Sequence, residues 1–132
     1  MKVTSIMTCN VVTVEMDDPL ETVRVFFENI AFHSIPVVED QRLVGVISDS
    51  DLFAEEWRDT NALNKKAYEV MDKVPVTVDK ETSIEKADKL LLNNNVSCLP
   101  VLSSEGIIEG IVTRRNIINF YSKNKNGCKT AA

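Results

Sequence analysis

The 132-residue chain is long enough for one ordinary domain and too short for two independent ones. Its 44% hydrophobic and 27% charged residues describe a globular protein rather than a disordered one. With 15 Lys+Arg against 20 Asp+Glu the net charge is −5, which argues against nucleic acid as a partner, because that binding neutralises phosphates with Lys and Arg.

No apolar run approaches the roughly 20 residues that cross a bilayer. Met1-Lys2-Val3-Thr4-Ser5 leads into mixed polar and apolar residues, not a signal-peptide core. A cytoplasmic protein without membrane association is expected. Cys9, Cys98 and Cys128 are odd in number and widely spaced, which argues against a disulfide framework. One histidine and no paired cysteines supply a zinc site poorly.

The elements run as follows. Val11-Val12-Thr13-Val14 is a β-branched run that predicts a strand. Asp18-Pro19-Leu20-Glu21 opens a helix, with Asp18 as cap, Pro19 at the first helical position and Leu20, Val23, Phe26, Phe27 and Ile30 on one face. Ile35-Pro36-Val37-Val38 and Leu43-Val44-Gly45-Val46-Ile47 flank the polar stretch Glu39-Asp40-Gln41-Arg42 and predict a hairpin. A helix is expected from near Asp49 to about Trp57.

The same series then recurs. Val76-Thr77-Val78 predicts a strand, Thr82-Ser83-Ile84-Glu85 has a capping-box pattern, and Ile84, Ala87, Leu90 and Leu91 recur at helical spacing. Asn93-Asn94-Asn95 offers a left-handed stop. Leu99-Pro100-Val101-Leu102, a turn at Ser103-Ser104-Glu105-Gly106, and Ile107 to Val112 form a second hairpin, before a helix from Arg114 to Tyr121.

Shifting the chain by 64 residues brings Val3 to Val38 over Ala67 to Leu102 and makes eight of those 36 pairs identical: Met7/Met71, Val12/Val76, Thr13/Thr77, Val14/Val78, Glu21/Glu85, Asn29/Asn93, Pro36/Pro100 and Val37/Val101. One extra residue in the second turn then aligns Gly45-Val46-Ile47-Ser48 with Gly110-Ile111-Val112-Thr113, and Asp51 with Asn116. Matches fall on strand cores, caps and turns together, so the chain is a duplication. The predicted fold is α/β (α+β by some schemes): two pseudo-twofold β-α-β-β-α units packed sheet to sheet. Residues 1–60 form the first motif, 61–66 the connection, 67–122 the second motif and 123–132 a polar tail.

Chemistry is expected where a strand hands over to a helix. Ser48, Asp49 and Asp51 place a hydroxyl and carboxylates at one helix start. Thr113, Arg114, Arg115 and Asn116 place a hydroxyl, two guanidinium groups and an amide at the other. Free N–H groups there attract anions, and a carboxylate suits paired hydroxyls such as those of a ribose. Ser48, Asp49 and Thr113 also read as ordinary N-caps, which local sequence favours, and duplication does not decide between the two readings. His33 has no Ser, Cys or carboxylate partner in a known triad spacing and reads as a strand-entry residue. Cys98 reads as a small buried hydrophobe, and Trp57 and Tyr121 as packing groups at helix ends. With no nucleophile and base, phosphate loop or metal cluster, the chain is not expected to be an enzyme.

Ser5-Ile6-Met7-Thr8, Val11 to Val14, His33-Ser34-Ile35-Pro36-Val37-Val38 and Gly45 to Asp51, repeated as Val70-Met71, Val76-Thr77-Val78, Leu99-Pro100-Val101 and Gly110 to Asn116, resemble the cystathionine-β-synthase (CBS) domain. The whole resembles a stand-alone tandem CBS pair, or Bateman module. That resemblance implies a regulatory module binding an adenosine-containing ligand (AMP, ADP, ATP or S-adenosylmethionine) in clefts between the two copies, with no obligatory cofactor. It implies that Ser48 and Asp51 serve phosphate and ribose in one cleft, and Thr113 and Asn116 in the other. Base pockets would be lined by the backbone of Asn10, Val11 and Val12 and of Val74, Pro75 and Val76, with Ile35 and Leu99. Asn116 departs from the acidic pattern, and Arg114 and Arg115 add positive charge, so the clefts are expected to differ and phosphates to sit nearer the arginines. A homodimer through the apolar sides of the terminal helices, with an unidentified regulated protein as a further partner, is the expected assembly. The competing reading is a structural or interaction scaffold with no physiological nucleotide.

Overall fold

Strand β2 (Ser34–Glu39) and strand β3 (Arg42–Ser48) pair antiparallel, and strand β1 (Val14–Glu15) joins β2 in parallel, with Val14 opposite Val37. The computed structural model describes residues 1–29, 33–58 and 62–122. The β2–β3 turn consists of Asp40 and Gln41, both left-handed at φ 51° and 68°, as the twist of a two-residue hairpin demands. Helix α1 (Leu20–Asn29) precedes the hairpin and helix α2 (Asp49–Arg58) follows it. A 3-10 turn (Ala62–Asn64) and the short helix α3 (Ala67–Val70) close this part.

The second series repeats these elements. Helix α4 (Ile84–Asn94) leads to strand β4 (Cys98–Leu102), which pairs antiparallel with strand β5 (Ile108–Thr113) before helix α5 (Arg114–Tyr121). Even the irregularities recur: the ladder slips between Val37 and Val38 in one hairpin and between Val101 and Leu102 in the other. Burial recurs too. Leu20 and Ile84, Val23 and Ala87, Ile35 and Leu99, Val37 and Val101, Ile47 and Val112, and Leu52 and Ile117 are buried at matching positions. The two lists fall into separate apolar clusters, one for each series.

In space the chain divides differently from the order of its repeats. Val12–Pro75 forms one compact unit, the first unit below. Met1–Val11 and the described chain from Val76 onward form the second unit. In the second unit, Val3 N–H donates to Thr82 O and Ile84 N–H to Met1 O, at 2.8 and 2.9 Å. In the first, Ala67 N–H donates to Asp18 O and Leu20 N–H to Lys65 O, both at 2.8 Å. The segment before each motif's first strand therefore belongs to the other motif's unit.

Some local expectations need correction. The β-branched runs are mostly unladdered: Val11–Thr13 is not a strand, and Val78 makes only an isolated parallel bridge to Val101. The carboxylate of Asp18 does not cap α1; it accepts from Glu15 N–H at 2.8 Å and closes the turn before the helix. The α4 cap is Ser83 rather than Thr82: its hydroxyl accepts from Lys86 N–H at 3.1 Å, while Thr82 accepts from Asp79 N–H. Asn95 ends α4 at φ 51°, the left-handed stop expected there. Ile30, the side chain of Trp57 and the tail from Lys123 lie outside the described residues.

Candidate functional site

Ser48 ends β3 and Asp51 lies in the first turn of α2, so each can reach the other's backbone. Ser48 N–H donates to Asp51 Oδ2 and Asp51 N–H to Ser48 Oγ, both at 3.2 Å. This reciprocal pair satisfies two donors that a helix start would otherwise leave unpaired. Asp49 Oδ1 accepts from Ser50 N–H at 2.8 Å, and Ser48 Oγ lies 3.0 Å from Ser50 Oγ. The first turn thus gathers hydroxyls and two carboxylates where the helix dipole favours negative charge.

Thr113 and Asn116 repeat the device at the start of α5. Thr113 N–H donates to Asn116 Oδ1 at 2.8 Å, and Asn116 N–H donates to Thr113 Oγ1 at 3.3 Å. The Thr113 hydroxyl also donates to Asn116 Oδ1, at 2.9 Å. Asn116 Nδ2 then reaches Thr8 Oγ1 at 3.3 Å, across 108 residues of sequence. Arg114 and Arg115 occupy the first two positions of α5 and are exposed. Both sequence-predicted pairs are therefore brought together, and in each the side chains act as caps.

The remaining candidates are placed as follows. Asn10 and Val74 are exposed, while Val11, Val12, Pro75 and Val76 are half-buried. The chain passes from one unit to the other at Val11/Val12 and at Pro75/Val76, so both expected lining segments coincide with these crossings. Ile35 and Leu99 are 0% exposed, opposite Ile47 and Val112 in their hairpins. They build the cores and present no surface in this structure.

Three features escaped the sequence reading. His33 does acquire a carboxylate: Nδ1 lies 3.2 Å from Asp49 Oδ2, and Asp49 N–H donates to His33 O at 2.9 Å. Only strand pairing brings residues 33 and 49 together, so triad spacings could not reveal it. Thr8 was part of a quoted motif but carried no assigned role; its position matching Asp72 under the 64-residue shift was the available signal. Cys9 is disulfide-bonded, whereas Cys98 is buried and takes part in no disulfide. Spacing along the chain cannot report a pairing between distant cysteines. Among the described residues no cluster of three or more His, Cys, Asp or Glu could hold a metal, and no helix is long and apolar enough to cross a membrane.

Two repeated β-hairpins, each flanked by helices and each closing on a hydroxyl-capped helix start, define a tandem small-domain pair. The CBS domain model matches residues 3–57 and 67–123, and the chain belongs to that family. A CBS domain-containing protein of Dictyostelium discoideum is 30% identical, over 92% of this chain and 91% of its own length. The chloroplastic CBS domain-containing protein CBSX1 of Arabidopsis thaliana is 31% identical over 80% of this chain, which spans 55% of it. The inosine-5'-monophosphate dehydrogenase of Korarchaeum cryptofilum is 30% identical over 85% of this chain, which spans only 22% of that enzyme. Among solved structures, CBSX2 of Arabidopsis thaliana in complex with AMP superposes with a TM-score of 0.83 at 28% identity, covering 95% of this chain and 98% of that one. The cytosolic domain of the Mg2+ channel MgtE in complex with ATP gives a TM-score of 0.73 at 29% identity, covering 87% and 46%.

Proposed function

We propose that the chain is a regulatory module that binds an adenosine-containing ligand (AMP, ADP, ATP or S-adenosylmethionine) and performs no catalysis itself. The observation that carries this reading is the Ser48–Asp51 pair at the start of α2. One oxygen of Asp51 is held by Ser48 N–H, and a carboxylate retains further acceptor capacity for the two hydroxyls of a ribose. The AMP complex of CBSX2 and the ATP complex of MgtE, two structures of like fold, support the ligand class. Thr113 and Asn116 stand at the matching place in the second unit, and Arg114 and Arg115 supply charge that draws phosphate. The backbone of Asn10–Val12 and Val74–Val76 completes the proposed ligand surroundings, whereas Ile35 and Leu99, with no exposed surface, support it from within the cores. We place the module in the cytoplasm as a homodimer that acts on a separate protein.

Thermal unfolding tests the reading, because a ligand bound only to the folded state raises stability by about 2.7 kcal/mol at a hundredfold excess over Kd. AMP, ADP, ATP and S-adenosylmethionine are added singly. At least one is expected to raise Tm for the wild type and to raise it clearly less in Asp51→Ala. No shift with any of the four would favour a scaffold that binds no nucleotide.

A further inference from the structure

We infer that Thr8, Asn116 and Thr113 form an internal latch that commits the second unit's polar set, so that the chain recognises a ribose only through Asp51. The inference rests on the nucleotide reading above for its ligand, but the latch itself stands on geometry.

The hydroxyls of a ribose need an acceptor, and the acceptor of Asn116 is its carbonyl oxygen with two lone pairs, while its NH2 group carries two N–H donors, of which Thr8 takes one. Its Oδ1 already accepts from Thr113 N–H at 2.8 Å and from the Thr113 hydroxyl at 2.9 Å. Its Nδ2 already donates to Thr8 Oγ1 at 3.3 Å. The three residues are half-buried, where exchanging a protein partner for a ligand partner costs the bond that is given up. Thr8 is also fixed at its backbone, donating to Ile111 O at 2.9 Å and accepting from Ile111 N–H at 3.0 Å. The amide therefore ties the first residues of the chain to the start of α5.

The first unit has the same backbone frame and the opposite chemistry. Asp72 takes the place of Thr8, exchanging backbone bonds with Val46 at 2.9 and 3.1 Å, and Asp51 takes the place of Asn116. Neither carboxylate carries an amide N–H to offer the other, so the equivalent latch does not form. Asp72 Oδ1 instead accepts from Val74 N–H at 3.0 Å. Asp51 remains an acceptor-only group, which suits hydroxyl donors. In the second unit Arg114 and Arg115, exposed at the start of α5, add positive charge.

Two measurements test this. In the first, AMP is titrated calorimetrically into the wild type and variants. The wild type is expected to bind one AMP per chain, and Asp51→Ala to weaken it about tenfold or more, the loss of a hydrogen bond to a charged group. Thr8→Val/Asn116→Asp removes the latch and restores the acid, and is expected to bind a second AMP. Two AMP per wild-type chain, one of them lost in Asn116→Ala, would overturn the inference. The second measurement needs no ligand: the Tm losses of Thr8→Val and Asn116→Ala are compared with that of Thr8→Val/Asn116→Ala. A double loss smaller than the sum supports the latch, and additive losses overturn it. Failure of the wild type to bind AMP falls on the nucleotide reading, and the double-variant comparison still decides the latch.

Discussion

Where a hydrogen replaces a methyl, two backbones can approach more closely than any other residue permits, and Gly45 and Gly110 use that freedom at matching places. A Cβ on Gly45 would lie 2.5 Å from Met71 Sδ and 2.8 Å from Asp72 O. On Gly110 it would lie 2.8 Å from Met7 Sδ and 3.0 Å from Thr8 O. A methionine thioether can swing aside, but a carbonyl held by a bridge cannot: Asp72 is bonded to Val46, and Thr8 to Ile111, through both backbone groups. Gly45→Ala is therefore expected to cost about 1–3 kcal/mol, as overpacking does, with Gly110→Ala milder in proportion to its looser contacts. Urea unfolding of both variants measures this, and a neutral Gly45→Ala would show that the Asp72 segment yields. Because this segment carries Thr8 to Asn116 at the start of α5, Gly110 also sets the surroundings of that capping pair.

The elements owe their ends to specific side chains. Ser83 holds the first turn of α4 and Asn95 its last, whereas α1 begins directly after Pro19 with Asp18 turned to the preceding loop. Ser83→Ala is expected to cost about 1 kcal/mol, the usual value of such a cap. Amide hydrogen exchange should show faster opening at the start of α4 and no change in α1; equal acceleration in both helices would contradict a local cap. Apolar spacing, hairpin turns and the α4 stop were legible in the sequence because each depends on neighbours within a few residues: Ile84, Ala87 and Leu91 define their face, and Asn95 its stop, unaided. The helix starts were less so, because Asp18 and Thr82 each bond into the turn before the helix instead of capping it. The assignment of segments to units was not legible. Met7 could pack on Gly45 or on Gly110 as far as residue types go, since duplication supplies both motifs with the same receptor. The Ser48–Asp51 and Thr113–Asn116 pairs were legible as residue types at a fixed spacing, but Thr8–Asn116 joins residues 108 apart and His33–Asp49 needs strand pairing.

At the scale of the molecule, duplication leaves a pair of apolar residues uncovered. Phe53 on α2 and Ile118 on α5 stand at equivalent positions and are 52% and 65% exposed, next to the buried Leu52 and Ile117. Single exposed apolar residues are ordinary, but their recurrence on the last helix of both motifs supports the proposed association of two copies there. Phe53→Lys/Ile118→Lys is expected to halve the mass found by light scattering while leaving the far-ultraviolet spectrum unchanged. Equal masses for variant and wild type would place the subunit contact elsewhere or show a monomer.

The division of the chain into Val12–Pro75 and a second unit built from both ends also imposes an order of events during synthesis. Residues 12–75 contain their own partners, so that unit can close once Pro75 has left the ribosome. Residues 1–11 emerge earlier, yet the backbone they bridge at Ile111 is made about a hundred residues later. They must wait for that partner while the closure entropy of the intervening chain grows with its length, and contacts so distant in sequence form slowly. A permuted chain that starts at Val12 and carries residues 1–11 after α5 would remove that wait, making each unit continuous and letting the two fold in the order in which they are translated.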